Sequence, residues 1–400
     1  MDLSAGYPFW LIKNGLPYNY PFLEQDLVTD VLIIGGGISG ALMAYQLVKA
    51  GVEVLLIDRR TIGLGSTCAS TSLLQYEIDT PLSELIGIRG KKDAVTAYKL
   101  CSDAIDGLAG IAREIGFKDF ERKQSLFFAA FKKDKDFLNR EFIIRKENGF
   151  KVSYLENDEI KNRYGFPATA AILSEQGAQA NVYNFTHELL QYGIKKGLKV
   201  YDRTEALTIG HSKKISVRTN RGHIIKAKKL VFATGYESLQ YIEEKFLKLK
   251  STYAVCSEQL NEKHGFSLKD IICWNTADPY LYMRTTNDGR ILVGGRDEDY
   301  YNPTKRDKLI SEKTKMLVKD FKKLFPKIPF IAEFSWAGTF ASTKDSLPFI
   351  GSYKKWKNCY FSLGFGGNGI TFSLIAAQIV TDLIKGKKTK YHELFSFDRI

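Results

Sequence analysis

Six residues, Gly35-Gly36-Gly37-Ile38-Ser39-Gly40, and an acidic residue about 20 positions on, Asp58, have the types and spacing that nucleotide binding needs. Gly35 allows a tight turn out of a strand. Gly37 lets the backbone approach a pyrophosphate with no Cβ in the way, and Gly40 lets the following helix pack closely on the sheet. The pyrophosphate sits at the helix N-terminus, where unpaired N–H groups and the positive end of the dipole favour anions. Asp58 is placed to accept hydrogen bonds from a ribose hydroxyl. A glycine turn alone does not distinguish one dinucleotide from another.

These residues need a βαβ frame, and the chain around them supplies it. An apolar β-branched run at 31–34 leads into the glycines, a helical stretch follows, and a second apolar run at 52–57 ends at Asp58. A loop rich in Gly, Ser and Thr spans 59–72. Residues 80–117 show helical spacing of apolar positions, 124–131 read as a strand, 133–148 as a charged amphipathic helix and 151–155 as a short strand. The apolar stretch 168–177 ends in a loop. A helix at 184–196 precedes strands near 199–201, 205–210, 214–219 and 223–232. Strand signals dominate 251–296, and Asn287-Asp288-Gly289 marks a hairpin turn between 281–284 and 291–293. A helix at about 307–324, a strand at 359–363 and a helix from 370 to about 383 complete the pattern. An aromatic leader with Tyr7, Phe9, Trp10, Tyr18, Tyr20 and Phe22 has the composition of a segment packed on a body.

The 400 residues are 44% hydrophobic and 26% charged, which suits two domains or one large interleaved fold. No apolar stretch reaches the length of a transmembrane helix, and the N-terminus lacks the pattern of a signal peptide, so a cytoplasmic location is expected. The five cysteines are scattered, which reads as reduced thiols. The histidines show no metal-ligand spacing, so no metal is predicted. The net charge of +13 comes from lysines spread through surface-type helices and interleaved with acids, not from one basic tract. A dedicated nucleic-acid surface is therefore not expected.

Five separated motifs in order resemble the FAD-dependent oxidoreductases of the D-amino-acid oxidase, glycine oxidase and sarcosine oxidase superfamily, over nearly the whole chain. The Gly35–Gly40 turn with Asp58 and Arg59 resembles the ADP-binding unit. Gly65-Ser66-Thr67-Cys68-Ala69-Ser70 resembles the small-residue loop beneath the flavin, with hydroxyls and little bulk for a flat ring. Ala233-Thr234-Gly235 resembles the family's ATG strand end. Trp336-Ala337-Gly338 with Asp345-Ser346-Leu347-Pro348 resembles its WAG…DxLP element. Gly364 to Thr371 (GFGGNGIT) resembles the loop and helix start facing the flavin pyrimidine. The resemblance implies cofactor contacts at Thr234, Gly235, Gly338, Gly366, Gly367, Asn368, Gly369, Ile370 and Thr371. Physically, the helix opened by Gly366, Gly367 and Gly369 can stabilise negative charge on a reduced flavin. The fold implied is α/β: a Rossmann-like FAD-binding domain (1–80, 175–250 and 340–400) interleaved with a mixed β-sheet substrate domain (81–174 and 251–339).

Departures from the family pattern bear on the substrate. Phe340 stands where amino-acid oxidases of the superfamily place a carboxylate-clamping Arg. Thr371 stands where sarcosine-oxidase-like proteins use a Lys, and Gly338 where they tether flavin through Cys. The resemblance thus implies non-covalent FAD and a substrate that lacks an α-carboxylate. The layout around Trp336, and the aromatic leader, are more similar to the γ-glutamylputrescine oxidase branch, whose substrates are amines on a longer chain. Tyr76, Tyr282, Trp336, Phe340 and Phe365 are aromatic candidates for the pocket, each also readable as core. Arg284 ends a strand, where it fits either an anion clamp or a solvated charge. Glu77 fits a partner for an ammonium.

The reading is oxidation of an amine C–N bond by hydride transfer to flavin N5, with no dedicated catalytic base. With no second GxGxxG, no NAD(P)H site is expected, and electrons leave to oxygen, a quinone or a carrier protein. Alternatives are a quinone-linked dehydrogenase of an amino or hydroxy acid, a tRNA-modifying flavoprotein of the same superfamily, and a flavin-binding protein with little turnover. Purified protein is expected to be yellow and to release FAD into the supernatant on acid precipitation; flavin that stays with the pellet would contradict a non-covalent cofactor.

Overall fold

The apolar run at 31–34 forms the buried half of the strand Leu27–Ile34, which lies inside a parallel sheet. Strands buried on both faces read as continuous apolar runs rather than alternating ones. The computed structural model describes residues 1–244, 246–260, 268–387, 389 and 391–399. Leu27–Ile34 pairs in parallel with Val54–Ile57 on one side and Ile224–Phe232 on the other. Lys199–Tyr201 and Cys359–Leu363 extend the parallel array outward. Antiparallel strands Phe349–Ser352, Ala206–His211 and Ile215–Thr219 complete an eight-stranded sheet. Helices Ile38–Lys49, Lys91–Ile115, Val182–Ile194 and Gly369–Ile384 bury their apolar faces together in the largest core cluster. This is the Rossmann-like half of the expected α/β fold.

The second sheet has ten strands. Its main path runs Ser4–Gly6, Ala332–Thr343, Leu247–Ser257, Ile291–Glu298, Tyr282–Thr285, Ile271–Asn275, Phe120–Phe128, Ala170–Ala180 and Leu73–Gln75, with Val152–Glu156 also paired to Ala170–Ala180. The sheet is mixed, since Ile271–Asn275 and Phe120–Phe128 run parallel. The Asn287-Asp288-Gly289 hairpin forms, with Thr286 N–H bonded to the Arg290 carbonyl at 2.9 Å and Gly289 at φ +75°.

Several elements differ from the sequence pattern, for tertiary reasons. The 168–177 stretch does not end in a loop: it continues as the strand Ala170–Ala180, whose backbone groups find partners on both sides. The helical region 80–117 is broken at Gly90 (φ +78°) into Leu82–Arg89 and Lys91–Ile115. The leader contributes a strand to the larger sheet, Ser4–Gly6 on Ala332–Thr343, and a helix, Phe9–Asn14, with Phe9 and Trp10 buried. Strand pairing therefore divides the chain differently from the expected boundaries, because residues 4–6 and 73–75 join the larger sheet. Positions 261–267 of the strand-rich region lie outside the described residues.

Between the sheet and the helices lies a fully buried ion triad. Arg145 Nε donates to Glu141 at 2.7 Å and its Nη1 to Glu77 at 3.2 Å, all three side chains at 0% exposure. Ser174 donates to Glu77, and the Leu82 and Ser83 amides to Glu141. Glu77 is thus a core partner of a guanidinium and does not face a substrate. Removing one member of a buried ion set leaves uncompensated charge. Arg145→Leu is expected to lower unfolding stability by about 3–5 kcal/mol, read from the urea midpoint; a loss below about 1 kcal/mol would show that the triad is dispensable.

Candidate active site

The two sheets face each other across a cavity of about 320 Å³. Both ends are built from backbone first. At one end the strand Leu27–Ile34 stops and the helix Ile38–Lys49 starts with glycine, which has no capping side chain, at its N-cap; Thr67 takes the Ile38 amide, and the next amides of the turn have no side-chain partner. Gly35 adopts φ +111°, and a Cβ there would sit 2.4 Å from the Ala233 carbonyl oxygen. A Cβ on Gly40 would lie 1.8 Å from the Gly35 oxygen, so only glycine allows this helix to close on the turn. Gly35, Gly37, Ile38 and Ser39 line the cavity, whereas Gly40 is a packing residue behind it.

Asp58 lines the same end. Its two oxygens accept from the Gly36 amide at 2.6 Å and the Arg60 amide at 2.7 Å, and each keeps a second lone pair. Burial pushes this carboxyl up to about 6 against the pull of those amides. Arg59 and Arg60 both pair with Glu237, with Arg60 at 2.7 and 2.9 Å. Burial of Glu237 works against its ionisation, yet the Arg60 bonds and charge hold it below the usual carboxylate range. Glu237 escaped the motif reading although it lies just after Thr234 and Gly235, which line the cavity with it.

The small-residue loop is pinned from behind by two indoles. Trp336 Nε1 donates to the Ala69 carbonyl and Trp10 Nε1 to that of Ser70, both at 2.8 Å. Gly65, Ser66, Thr67 and Ser70 then face the cavity. Thr67 Oγ1 also accepts the Ile38 amide at 3.0 Å, joining this loop to the first helix. Trp336 itself is buried with Phe9 and Trp10, so it positions the loop without lining the cavity. Cys68 is buried too, and burial pushes its thiol up to about 11, which leaves it unreactive.

At the other end, Phe365, Gly366, Gly367, Asn368, Gly369 and Ile370 lead into the helix Gly369–Ile384, again without a side-chain cap. Asp79, a residue no motif pointed to, accepts the Gly367 amide at 2.7 Å and the Tyr280 hydroxyl at 3.1 Å. A Cβ on Gly366 or Gly367 would lie 2.5 Å from an Asp79 oxygen. Asn368 Nδ2 reaches back to the carbonyls of Gln75 and Glu77. Thr371 bonds the Asn368 carbonyl at 3.0 Å and faces the core, outside the cavity lining.

The larger sheet contributes Tyr282, Phe340, Gly338, Thr252 and Asp297 to this end, and the connection before Tyr282–Thr285 adds Tyr280. Besides Trp336, two of the expected pocket residues lie elsewhere. Tyr76 is 2% exposed, stacked on Phe150 at 5.1 Å and bonded to Ser174, so it is core. Arg284 is buried and donates to the carbonyls of Thr71, Ser72, Ala180 and Thr285 at 2.9–3.3 Å. Burial pushes it down to about 9. It braces the backbone at the end of the small-residue loop and does not clamp an anion in the cavity.

A family profile described as FAD dependent oxidoreductase (DAO) matches residues 30–383. The chain belongs to this family. The oxidoreductase is 24% identical over 390 residues to the γ-glutamylputrescine oxidoreductase of Escherichia coli (strain K12), covering 92% of this chain and 86% of that one. It is 26% identical over 410 residues to a putative Rieske 2Fe-2S iron-sulfur protein of Bacillus subtilis (strain 168), covering 99% of this chain and 76% of that one. In fold it is similar to the crystal structure of glycine oxidase from Geobacillus kaustophilus, with TM-score 0.78, 19% identity, and 94% and 99% of the two chains covered. The L-proline dehydrogenase of P. horikoshii gives TM-score 0.78 at 22% identity, over 94% and 99%.

FAD is the cofactor of this oxidoreductase, and the cavity suits it. Two helix starts whose N-cap residues make no side-chain bond, a turn that tolerates no Cβ, and a small-residue loop between them offer contacts for a pyrophosphate and a flat ring. A Cβ at Gly37 already approaches Thr67 Oγ1 at 2.9 Å, and a branched side chain must project into the cavity. Gly37→Val is expected to abolish FAD retention while leaving the circular dichroism spectrum largely intact. Stoichiometric flavin in the purified variant would place the pyrophosphate elsewhere.

Proposed function

We propose that this enzyme oxidises the C–N bond of an amine that it recognises without an α-carboxylate. The observation that carries the reading is the charge of the cavity wall. Around the helix start at Gly369 the lining offers Asp79, Asp297, Tyr280, Tyr282, Thr252 and Phe340. Among the described residues, the cations that line the cavity are Arg59 and Arg60, beside Asp58 and already paired with Glu237. A carboxylate brought next to Asp79 and Asp297 would meet like charge and no donor cation, which is costly in a buried site. A neutral or cationic amine with an apolar body meets aromatic faces and acceptor oxygens instead.

FAD is held non-covalently in this reading, and the residues named at both helix starts would hold it. When bound, it would supply the sink for the two electrons of the C–N bond, and the resulting imine would be hydrolysed by water. The chain's own residues orient the amine, exclude bulk water and need not remove a proton from a neutral amine. Electrons then leave to oxygen, a quinone or a carrier protein. The similarity to a protein named for a Rieske cluster supports an iron–sulfur carrier. The absence of a membrane-crossing helix among the described residues and five free, buried cysteines are compatible with the cytoplasm.

Anaerobic mixing of the FAD-loaded enzyme with an amine panel tests the reading. Secondary amines and N-acylated diamines are expected to bleach the flavin with saturable kinetics, and glycine, sarcosine and D-alanine to do so poorly. Rapid, saturable bleaching by glycine or D-alanine would overturn it.

A further inference from the structure

The strand Ile291–Glu298 changes character at its end. Pairing with Leu247–Ser257 is regular from Cys256↔Leu292 to Tyr253↔Gly295, and then slips so that Ser251 faces Glu298. Two steps along one strand match three along the other, which is a bulge. Gly295 takes φ +138° and Arg296 takes φ +58°, a left-handed conformation that a non-glycine residue adopts only when its surroundings hold it there.

The surroundings do hold it. Arg296 forms two bonds to Asp320, at 2.6 and 2.7 Å, and Glu298 pairs with Lys313. Both partners lie on the helix Ile310–Leu324, on the far side of the sheet from the cavity. With its two neighbours tied outward, Asp297 is the residue that the bulge turns into the cavity. Its Oδ1 is buried and accepts no hydrogen bond. The same strand makes room for an aromatic wall beside it: a Cβ on Gly294 would lie 2.3 Å from the Tyr282 ring, so glycine there lets that ring lie across the sheet.

We infer that Asp297 is the substrate-recognition residue of this enzyme, its free oxygen forming an ion pair with the ammonium of a cationic amine. This rests on the proposed amine reading and narrows it to small aliphatic or arylalkyl amines that are protonated in solution; the ammonium gives its extra proton to this carboxylate before the neutral amine is oxidised. Among the described residues nothing donates to the Asp297 Oδ1. The Thr252 hydroxyl bonds to the carboxylate, the Asp79 carboxyl repels it, and Lys250 and Lys313 act on it from outside the cavity, where they pair with Asp299 and Glu298. Tyr282 and Tyr280 complete the wall as neutral phenols, held protonated by burial. Asp79 already accepts two hydrogen bonds, which leaves Asp297 as the acceptor in want of a donor.

Burial, and then the Asp79 charge, push the Asp297 carboxyl up to about 6 against the Thr252 bond. Below that pH the carboxyl is neutral and the ion pair is absent. Amine affinity is therefore expected to fall as pH drops through about 6.

The test uses FAD-loaded protein and perturbation of the flavin spectrum on titration with n-alkylamines under anaerobic conditions, with primary alcohols of equal chain length as neutral controls. Asp297→Asn keeps the size and the Thr252 contact but removes the charge. It is expected to weaken amine binding about tenfold to a hundredfold, the range for a lost charge-assisted bond, to leave alcohol binding and FAD content unchanged, and to abolish the pH dependence. Amine affinity within about twofold of the parent, or a pH profile that survives the substitution, would overturn the assignment. Should the variant fail to load FAD, the parent protein decides alone: amine affinity that is flat through about pH 6 overturns it. If amines bleach the flavin yet Asp297→Asn binds them normally, the assignment fails and the amine reading stands. If glycine or D-alanine is the good reductant, the amine reading itself fails.

Discussion

Two helices, Ile38–Lys49 and Gly369–Ile384, aim their first turns at one cavity, and neither N-cap residue bonds its own first turn through a side chain. An uncapped helix start leaves amide hydrogens without partners and carries the positive end of the backbone dipole. Buried in this way, such ends require an anionic or strongly accepting ligand, and most of the surrounding architecture follows from that need. The parallel strands Leu27–Ile34 and Cys359–Leu363 each deliver one helix start to the same edge of the sheet. Glycines occupy the turns because backbone must approach backbone: the Gly40 position lies against the Gly35 carbonyl with no space for a methyl group. Thr67 then links the first helix to the loop that lies between the two ends.

The larger sheet answers a different requirement. It must present side chains to a flat cofactor and its reductant while its own backbone stays paired. It does so with small irregularities rather than with loops. Gly294 opens a space for the Tyr282 ring, and the bulge at Gly295 and Arg296 sends one carboxylate inward while its neighbours bond to a helix outside. Ladder pairing resumes at Glu298, so the local disruption is confined to Arg296 and Asp297.

Buried cations do structural work throughout this molecule. Arg284 gathers four carbonyls, Arg145 holds two glutamates, and Arg399 binds Asp345 through two bonds. Each finds acceptors for most of its donors inside the protein, which offsets the cost of burying a guanidinium. The consequence at the site is chemical. With those arginines committed elsewhere, the wall around Asp79, Asp297 and the aromatic residues is left with acceptors.

The nucleotide half was legible in the sequence because its signals are local. The Gly35–Gly40 turn, its flanking strand and helix, and Asp58 fall within one βαβ unit, and each glycine answers a contact made by nearby backbone. The Asn287-Asp288-Gly289 hairpin and the terminal helix were legible for the same reason. Tyr282 and Phe340 could be named from their motifs and strands. Tyr76, Arg284 and Glu77 could not be placed, because an aromatic or charged side chain at a strand end has no local mark that says which face it takes. Folding put Tyr76 on Phe150, Glu77 on Arg145 and Arg284 under the loop backbone, since burial demanded partners there. It brought Asp79, Glu237 and Asp297 into one cavity from three distant segments, with no spacing rule to announce it. Chain-local geometry wrote the cofactor site; long-range pairing, burial and one bulged strand chose the chemistry of the wall opposite.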